Sequence, residues 1–244
     1  MEPPSTSVGR AFPDRVEVRG RDLTGDLMGR LTFTEYFHLL LTGREPTEDE
    51  TFFLDLLLVS IAEHGLMPSN VAARMTLAAD PSSLQGAVAA GILGAGPVVL
   101  GASEECARLL EGARGREPRN VAAEIHAAGG RMPGFGHPLH RPVDPRAERI
   151  LELADARGAS GPNVAFARGL RDAVAETWGK PLPMNVSMAI AAVLLDLGYP
   201  ASAAKAIPIL ARTASLLAHL AEEQEHPIGF RLARAAEEAS EYGG

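Results

Sequence analysis

The stretch GFGHPLHRPVDPRA, which begins at Gly134, holds the side chains best suited to chemistry. His137 follows a glycine and precedes a proline in this loop, and glycine permits unusual backbone angles and the close approach of a ligand. An imidazole can donate, accept or transfer a proton near neutral pH, and the planar guanidinium of Arg146 suits a carboxylate. The alternative is a loop histidine that only completes hydrogen bonds, next to a solvated arginine.

Two further residues are candidates for the same site. His64 ends a predicted helix in AEHGLMPSN, and Arg212 lies on a predicted helix in ARTASLLAH. The alternative for His64 is that it only complements the dipole of the helix that it ends. The alternative for Arg212 is that it is only a solvated cation. His219 is expected to be structural. The single Cys106 lies beside two glutamates, which raise the pKa of a thiol, so it is not expected to be a nucleophile.

Several classes of function are disfavoured. The seven histidines do not pair with cysteines or acids at ligand spacing, so the sequence predicts no metal site. No dinucleotide-binding, P-loop or nucleophile-elbow motif is present. A net charge of -8 argues against nucleic acid and membrane partners but allows a small anionic ligand. The longest apolar run is too short to span a bilayer, and one cysteine suits a reducing compartment, so a cytoplasmic protein is expected.

The elements that must position these residues are predicted to be helices. The 244 residues are 46% hydrophobic and 22% charged, as in soluble globular proteins, and nearly every segment after about residue 20 has helical periodicity. Thr32 or Thr34 and Gly43 are expected to bound one helix, and Asp144 and Pro145 to begin another. With no hairpin signal and no internal repeat, the predicted class is all-α with around ten helices.

Six blocks in order resemble the citrate synthase superfamily, from about residue 17 to the C-terminus. Each single block is a weak signal, whereas six in the right order are specific. The matching stretches are RGRDLTGDLMGRLTFTEYFHLLLTGREPT, AEHGLMPSNVAAR, GAGPVVLGASEE, GFGHPLHRPVDPRA, PMNVSMAIAAVLLDLGYP and ARTASLLAH.

The resemblance implies Claisen-type chemistry on an acyl-CoA thioester and a 2-oxoacid. His137 is similar to the histidine that hydrogen-bonds the ketone oxygen, and His64 to a substrate-contacting histidine. Arg146 and Arg212 resemble carboxylate-binding arginines. The resemblance also implies a homodimer with no bound cofactor, the CoA thioester being a substrate. It implies a disordered lead-in over 1–16, a large helical domain over 17–65 and 166–244, and a small inserted one over 66–165.

Two departures from the family pattern concern the reacting groups. The histidine of the family's PLHG motif is Val99 here, or Val98 or Leu100 if the alignment shifts. The aspartate that acts as base corresponds to Ser187. Because a neutral serine cannot remove an α-proton unaided, ordinary synthase chemistry is disfavoured.

Other departures concern ligand contacts. His226 replaces an arginine that reaches into the neighbouring subunit's site, and it is expected to bind a substrate carboxylate. His140 and Pro138 stand where the family usually has tyrosine and arginine. The short citryl-CoA lyases and the citrate synthase-like module of ATP-citrate lyase also lack the PLHG histidine, and this chain resembles that branch.

Three functions therefore stay open. The first is a citryl-CoA lyase-like enzyme that releases acetyl-CoA and a 2-oxoacid such as oxaloacetate, with water held by Ser187 supplying a proton. The second is citrate synthase-type condensation of an acyl-CoA with oxaloacetate. The third is a non-catalytic protein that keeps the citrate and CoA pocket.

Overall fold

The computed structural model describes residues 4–243, apart from the side chains of residues 97 and 98. The chain forms two compact units, Met1–Leu56 and Leu57–Gly244, and the division falls inside the helix Glu48–Ala62. Helices dominate the chain, so the all-α class predicted from the sequence is confirmed. The large domain (17–65 and 166–244) and the inserted small domain (66–165) stay predictions.

A three-stranded antiparallel sheet begins the first unit, with strands β1 (Gly9–Ala11), β2 (Val16–Val18) and β3 (Arg21–Asp22). Arg19 and Gly20 join β2 to β3 with φ of 51° and 78°, a two-residue turn whose twist suits a hairpin. The Arg19 guanidinium donates to the Leu40 carbonyl, 3.1 Å from Nε, which helps to hold this rare backbone conformation.

The sequence showed no hairpin signal and so predicted no hairpin, and this prediction is wrong for the segment that forms the sheet. Strands of two or three residues show no alternation of polar and apolar side chains, and Arg-Gly is not a usual turn pair. β1 also lies inside the segment 1–16 that the resemblance assigned to a disordered lead-in. The sheet could not be predicted from the sequence, because such short strands are held by backbone pairing and leave no pattern in their side chains.

Two helices complete the first unit, after a single π-helical turn over Leu23–Leu27. Helix α1 (Phe33–Thr42) begins at Thr32, whose side chain exchanges hydrogen bonds with Glu35, and ends at Gly43 with φ of 82°. The predicted boundaries of α1 are therefore confirmed, with Thr32 rather than Thr34 as the cap. Helix α2 spans Glu48–Ala62.

The start of α2 is stabilised by Glu50, which is 4% exposed. Its carboxylate accepts the Thr47 N–H at 2.8 Å and the two terminal guanidinium nitrogens of Arg44, with Nη1 at 2.8 Å. Hydrogen bonds from Arg44, which outweigh burial, lower the pKa of Glu50 from 4.5 to about 2. A lowered pKa in the folded state means stabilisation that is complete above pH 4.5 and is lost as the pH falls towards 2.

Glu50→Gln is expected to lower the free energy of unfolding at pH 7 by about 1–3 kcal/mol, because the charge-assisted hydrogen bonds from Arg44 are weakened. The difference from the parent protein should shrink towards zero between pH 4.5 and 2. Urea unfolding at a series of pH values measures both. Glu45→Gln is the matched control, because the half-exposed Glu45 makes only a surface ion pair with Arg21. A constant difference at all pH values would contradict the assignment.

The second unit contains the remaining helices. They are α3 (Pro68–Ala79), α4 (Leu84–Leu100), α5 (Ala102–Gly112), α6 (Pro118–Ala127), α7 (Pro145–Ala156), α8 (Pro162–Trp178), α9 (Val186–Asp196), α10 (Ala206–Glu225) and α11 (Gly229–Glu238), with a 3-10 turn over Ala201–Lys205. Asp144 caps α7 and Pro145 is its first residue, as predicted. Helix α3 has Met67 at its N-cap and Pro68 at the first helical position, where the missing N–H of proline costs no hydrogen bond.

Helix α9 forms the centre of the second unit. Every residue from Val186 to Leu195 is buried, and α5, α7 and α8 pack around it. A helix that is apolar all round belongs in a protein interior. Because α9 is held on several sides, the residues at its N-terminus are fixed relative to α7. Among the described residues, no helix is both long and apolar enough to cross a bilayer.

Candidate functional site

The loop that carries His137 is tied to the segment preceding α9. The Gly134 carbonyl accepts a hydrogen bond from Asn185 N at 2.9 Å, and Gly136 N donates to the Pro183 carbonyl at 2.8 Å. Gly134 and Gly136 have φ of 76° and 90°, so the unusual backbone predicted for these glycines is confirmed. A Cβ at Gly134 would lie 2.6 Å from the nearest side-chain atom, so only glycine fits this close approach.

Hydrogen bonds from the backbone determine the tautomer of His137. Its Nδ1 accepts the N–H groups of Leu139 and His140 at 3.1 and 2.9 Å. Because Nδ1 is an acceptor, the proton of the neutral ring lies on Nε2. Arg146 Nη2 is 3.4 Å from this Nε2. Two donors that face each other without an acceptor between them are suited to share one oxygen atom of a ligand.

Asp144 aims the guanidinium of Arg146. This fully buried carboxylate accepts hydrogen bonds from Arg146 N, Nε and Nη2 at 3.1, 3.0 and 2.9 Å. It also accepts the Val186 N–H at 3.0 Å, which joins the first turn of α7 to that of α9. Burial alone would raise the pKa of Asp144, but the hydrogen bonds and charge of Arg146 outweigh it and lower the pKa below its ordinary value.

Arg212 is a buried cation with free hydrogen-bonding groups. Its side chain on α10 is 4% exposed, and its Nε and Nη1 atoms have no hydrogen-bond partner among the described residues. Burial lowers the pKa of Arg212, although arginine keeps its charge at neutral pH. A buried charge without partners is costly, so this guanidinium is preorganised for an anion.

These residues surround one cavity of about 500 Å³ within the second unit. The structure therefore brings His64, His137, Arg146, Ser187 and Arg212 together, five of the six residues proposed from the sequence. None of the lining residues is an aspartate or glutamate. The full lining is Ile61, His64, Met67, Val99, Ala102, Arg131, Phe135, Gly136, His137, Pro138, Leu139, Arg146, Asn185, Val186, Ser187 and Arg212.

His226, the sixth residue, does not line this cavity. It follows the last turn of α10, where its backbone N–H donates to the Glu222 carbonyl at 2.6 Å. The sequence reasoning missed Arg131, an exposed cation at the cavity, and Asn185, which caps α9. The signal for Asn185 was an asparagine directly before a helix, whereas nothing in the sequence distinguished Arg131 from other surface arginines.

Neutral side chains occupy the two positions where the family pattern has a reacting histidine and a reacting aspartate. Ser187 is 7% exposed, and its backbone N–H donates to Asn185 Oδ1 at 3.0 Å. Val99 lines the cavity, whereas Leu100 is buried away from it. The side chain of Val98, the third alternative, lies outside the described residues. Among the described residues that line it, the cavity therefore has histidines and arginines but no carboxylate that could act as a base.

Three imidazoles cluster at the cavity. His64 Nε2 lies 3.1 Å from His140 Nε2, and the ring centres of His137 and His140 are 4.4 Å apart in a stacked arrangement. One ring nitrogen from each of the three lies within 4.8 Å of the other two, a spacing that a metal ion could bridge. The sequence search missed this group because His64 and His140 are 76 positions apart.

Two features of the cluster disfavour a metal cation there. The proton on His137 Nε2 occupies the position that a metal would need, because Nδ1 is held by backbone donors. The charges of Arg146 and Arg212, which act on His64, would also repel a divalent cation. The residues therefore fit an anionic ligand better than a metal.

His64 and His137 are neutral at neutral pH. Burial is the largest cause that lowers the pKa of His64, followed by the charges of Arg146, His140 and Arg212. Burial likewise lowers the pKa of His137, with a further contribution from His140. A neutral imidazole has one N–H and one lone pair, so each ring can donate one hydrogen bond and accept another.

Glu63 holds the segment that carries His64. Its carboxylate accepts the N–H groups of His64 and Gly65 at 2.9 and 2.5 Å. The same carboxylate contacts Ser215 and His219 on α10, with His219 Nε2 at 3.1 Å. His64 is therefore held against the helix that carries Arg212, and His219 has the structural role predicted for it.

Comparisons with known proteins identify the family. Residues 15–235 match the family described as citrate synthase, C-terminal domain. The chain belongs to the citrate synthase family. Residues from five of the six blocks that resemble this family line the one cavity, namely His64, Val99, His137, Ser187 and Arg212.

This chain covers different fractions of the length of individual members of the citrate synthase family. A citrate synthase of Synechocystis is 32% identical over 201 residues, which are 80% of this chain but 50% of that protein. The chain spans about half the length of the curated relatives it matches. The structure of a citryl-CoA lyase from Hydrogenobacter thermophilus is 32% identical with a TM-score of 0.89, covering 98% of this chain and 94% of that one.

An ATP citrate lyase from Methanothrix soehngenii, solved with citrate and coenzyme A, shares the fold. Its TM-score is 0.77 at 21% identity, over 92% of this chain and 40% of that chain. The suspected lyase-like branch of the citrate synthase family is therefore confirmed at the level of fold and family resemblance.

Proposed function

We propose that this chain is a citryl-CoA lyase-like enzyme, which cleaves a citryl-type CoA thioester to acetyl-CoA and a 2-oxoacid such as oxaloacetate. The observation that carries the proposal is the buried guanidinium of Arg212, which lies in the same cavity as Arg146 and His137 and whose Nε and Nη1 have no hydrogen-bond partner among the described residues. Such a constellation suits a ligand with several carboxylates and an oxygen between them.

Binding is assigned to the arginines. Arg212 has two free N–H positions for a carboxylate, and Arg146 is held by Asp144 with its Nη2 close to His137. The 3-hydroxyl oxygen of the substrate then faces His137 Nε2–H and Arg146 Nη2. These donors stabilise the negative charge that develops on this oxygen when its proton leaves.

The cleavage itself needs a proton acceptor and a proton donor. When the hydroxyl proton leaves, the oxygen lone pair forms the ketone and the carbon–carbon bond breaks. The bonding electrons pass to the thioester enolate, whose carbon then takes a proton to give acetyl-CoA. The overall reaction neither consumes nor releases a proton, so a neutral imidazole such as His64 can perform these transfers without a carboxylate.

Two observations favour cleavage over synthesis. Removing the weakly acidic proton of an acyl-CoA needs a base, and the cavity has Ser187 where the family pattern has aspartate. The chain also matches a solved citryl-CoA lyase with a TM-score of 0.89 at 32% identity. Condensation is the second candidate, favoured by the names of those relatives.

A non-catalytic citrate and CoA binding protein is the third candidate, favoured by the lack of an acidic side chain at the cavity. Under each proposal no cofactor is bound and the CoA thioester is a substrate. A homodimer, in which His226 contacts a carboxylate in the partner's cavity, and a cytoplasmic location are part of the same proposal.

The experiment is to incubate the purified chain with citryl-CoA and to follow oxaloacetate by coupled oxidation of NADH. Saturable turnover that is lost in His137→Ala supports the lyase. Turnover in the reverse direction only, from acetyl-CoA and oxaloacetate, supports the synthase. No turnover in either direction, together with saturable citrate binding by calorimetry, supports the binding protein and overturns the lyase. His126→Ala, an exposed histidine on α6, is the matched control.

A further inference from the structure

We propose that His140 is the second half of a two-histidine proton relay, in which His64 exchanges protons with the substrate and His140 holds the charge between the two transfers. This inference rests on the proposed function and answers a question that it raises. A lyase without a carboxylate base must keep the hydroxyl proton somewhere while the carbon–carbon bond breaks.

The geometry of the pair supports such a relay. His64 Nε2 and His140 Nε2 are 3.1 Å apart, so one nitrogen donates a hydrogen bond and the other accepts it. His64 lines the cavity, whereas His140 does not. Because Nε2 of His64 is occupied by His140, the nitrogen left for a substrate proton is Nδ1. His140 therefore acts through His64 and is a positioning residue.

The charges around His64 disfavour leaving a positive charge on that ring. Arg146 and Arg212 act on His64 and, after burial, lower its pKa, while Asp144 has a smaller opposite effect. Glu63 lies directly before His64 but is held by backbone N–H groups and by Ser215. A proton that stayed on His64 would be repelled by the charges of Arg146 and Arg212, so the proposal places the positive charge on His140 between the two transfers.

Each step of the relay balances. Before cleavage, His64 has its proton on Nε2 and donates it to Nε2 of neutral His140. The substrate hydroxyl gives its proton to His64 Nδ1 while the Nε2 proton moves to His140, which becomes the cation. After the carbon–carbon bond breaks, His64 Nδ1–H protonates the enolate carbon and His140 returns its proton to His64 Nε2. The pair ends as it began.

His137 has a different part in this scheme. It is stacked on His140, with ring centres 4.4 Å apart, and its Nδ1 accepts the His140 backbone N–H at 2.9 Å. These contacts fix the backbone of residue 140 and keep the proton of His137 on Nε2. His137 is therefore a hydrogen-bond donor to the substrate oxygen and takes no part in the relay.

The kinetic test compares the parent protein with His140→Gln, which can hydrogen-bond to His64 but cannot hold a proton. With citryl-CoA as substrate, kcat is expected to fall by about 100-fold, the scale of general acid–base catalysis, with KM changed less than about threefold. His140→Gly should lose as much and recover with added imidazole. His126→Gln, an exposed histidine away from the cavity, should match the parent. A loss confined to KM, or no recovery by imidazole, would overturn the relay.

A second arm does not depend on turnover. Nitrogen-15 spectra of the histidine rings report which nitrogen is protonated and which ring becomes charged as the pH falls. The relay requires His140 to become charged before His64, and the His64 proton to lie at that stage on Nδ1 rather than on Nε2 as in the starting state. If His64 becomes charged first, the relay is wrong even if the protein cleaves citryl-CoA. If the charges follow the predicted order and no cleavage occurs, the proposed function is wrong, but His64 and His140 still share a proton as proposed.

Discussion

Arg212→Met is expected to make the protein more stable and at the same time unable to hold citrate. The guanidinium is buried, and its Nε and Nη1 have no hydrogen-bond partner among the described residues, so folding includes the cost of desolvating a charge that Glu63 offsets only in part. Methionine has a similar length and no charge to desolvate. Replacing a buried ion pair by apolar side chains of similar volume is often neutral or stabilising by about 1–4 kcal/mol. Because Arg212 is a buried charge without a hydrogen-bonded partner at two of its nitrogens, a rise in this range is expected here.

Citrate binding should change in the opposite sense. Removing one partner of a buried, hydrogen-bonded charge pair costs about 2–5 kcal/mol, or roughly 30-fold to 4,000-fold in affinity. Calorimetry with citrate measures this loss directly. Thermal unfolding gives a second measure, because citrate at 100 times the parent Kd should stabilise the parent protein by about 2.7 kcal/mol and the variant by less than about 1 kcal/mol.

The control for this prediction is Arg149→Met on α7, where the arginine is 64% exposed and pairs with Glu152 at the surface. Its stability should change by less than about 1 kcal/mol and its citrate affinity should stay the same. If Arg212→Met binds citrate as tightly as the parent does, the cavity is not the carboxylate site. If the variant is instead less stable, Arg212 has a structural partner and is not preorganised for a ligand.

Asp144→Asn is expected to lower both stability and activity, although the two side chains have nearly the same shape. The carboxylate accepts hydrogen bonds from Arg146 on one side and from the Val186 N–H on the other. An asparagine has only one oxygen, so its amide N–H₂ must face one of these donors. Breaking a buried charge pair in this way costs about 3–5 kcal/mol of unfolding free energy.

The dependence on pH separates this effect from a simple packing defect. The pKa of Asp144 is lowered in the folded protein, so the stabilisation is present above the ordinary value of 3.8 and is lost as the pH falls through the lowered value. The difference in unfolding free energy between parent and variant should therefore be largest near neutral pH and smaller below about pH 4. Urea unfolding at several pH values measures it.

Asp155→Asn is the matched control, since this aspartate lies on the same helix but is half exposed and pairs with Arg168 at the surface. Its effect should stay below about 1 kcal/mol. If Asp144→Asn is as stable as the parent, the link between α7 and α9 is not carried by this side chain. If it is destabilised but cleaves citryl-CoA at the parent rate, Arg146 does not need Asp144 to aim it.

The local features of this protein could be predicted from its sequence alone. Helical periodicity, Thr32 and Gly43 at the ends of α1, and Asp144 with Pro145 at the start of α7 are confirmed, because helix boundaries depend on residues a few positions apart. Six blocks in order were enough to indicate the family, which the comparisons confirm.

The chemistry of the site was decided by tertiary structure. The sequence could place His64 and His140 in different loops but could not show that their Nε2 atoms lie 3.1 Å apart. It assigned Asp144 as a helix cap and missed its bond to Val186, 42 positions away. It could not show that Arg212 is buried with its Nε and Nη1 atoms unpartnered among the described residues. Distances between residues far apart in the chain, and the desolvation that sets charge and pKa, arise only when the helices pack.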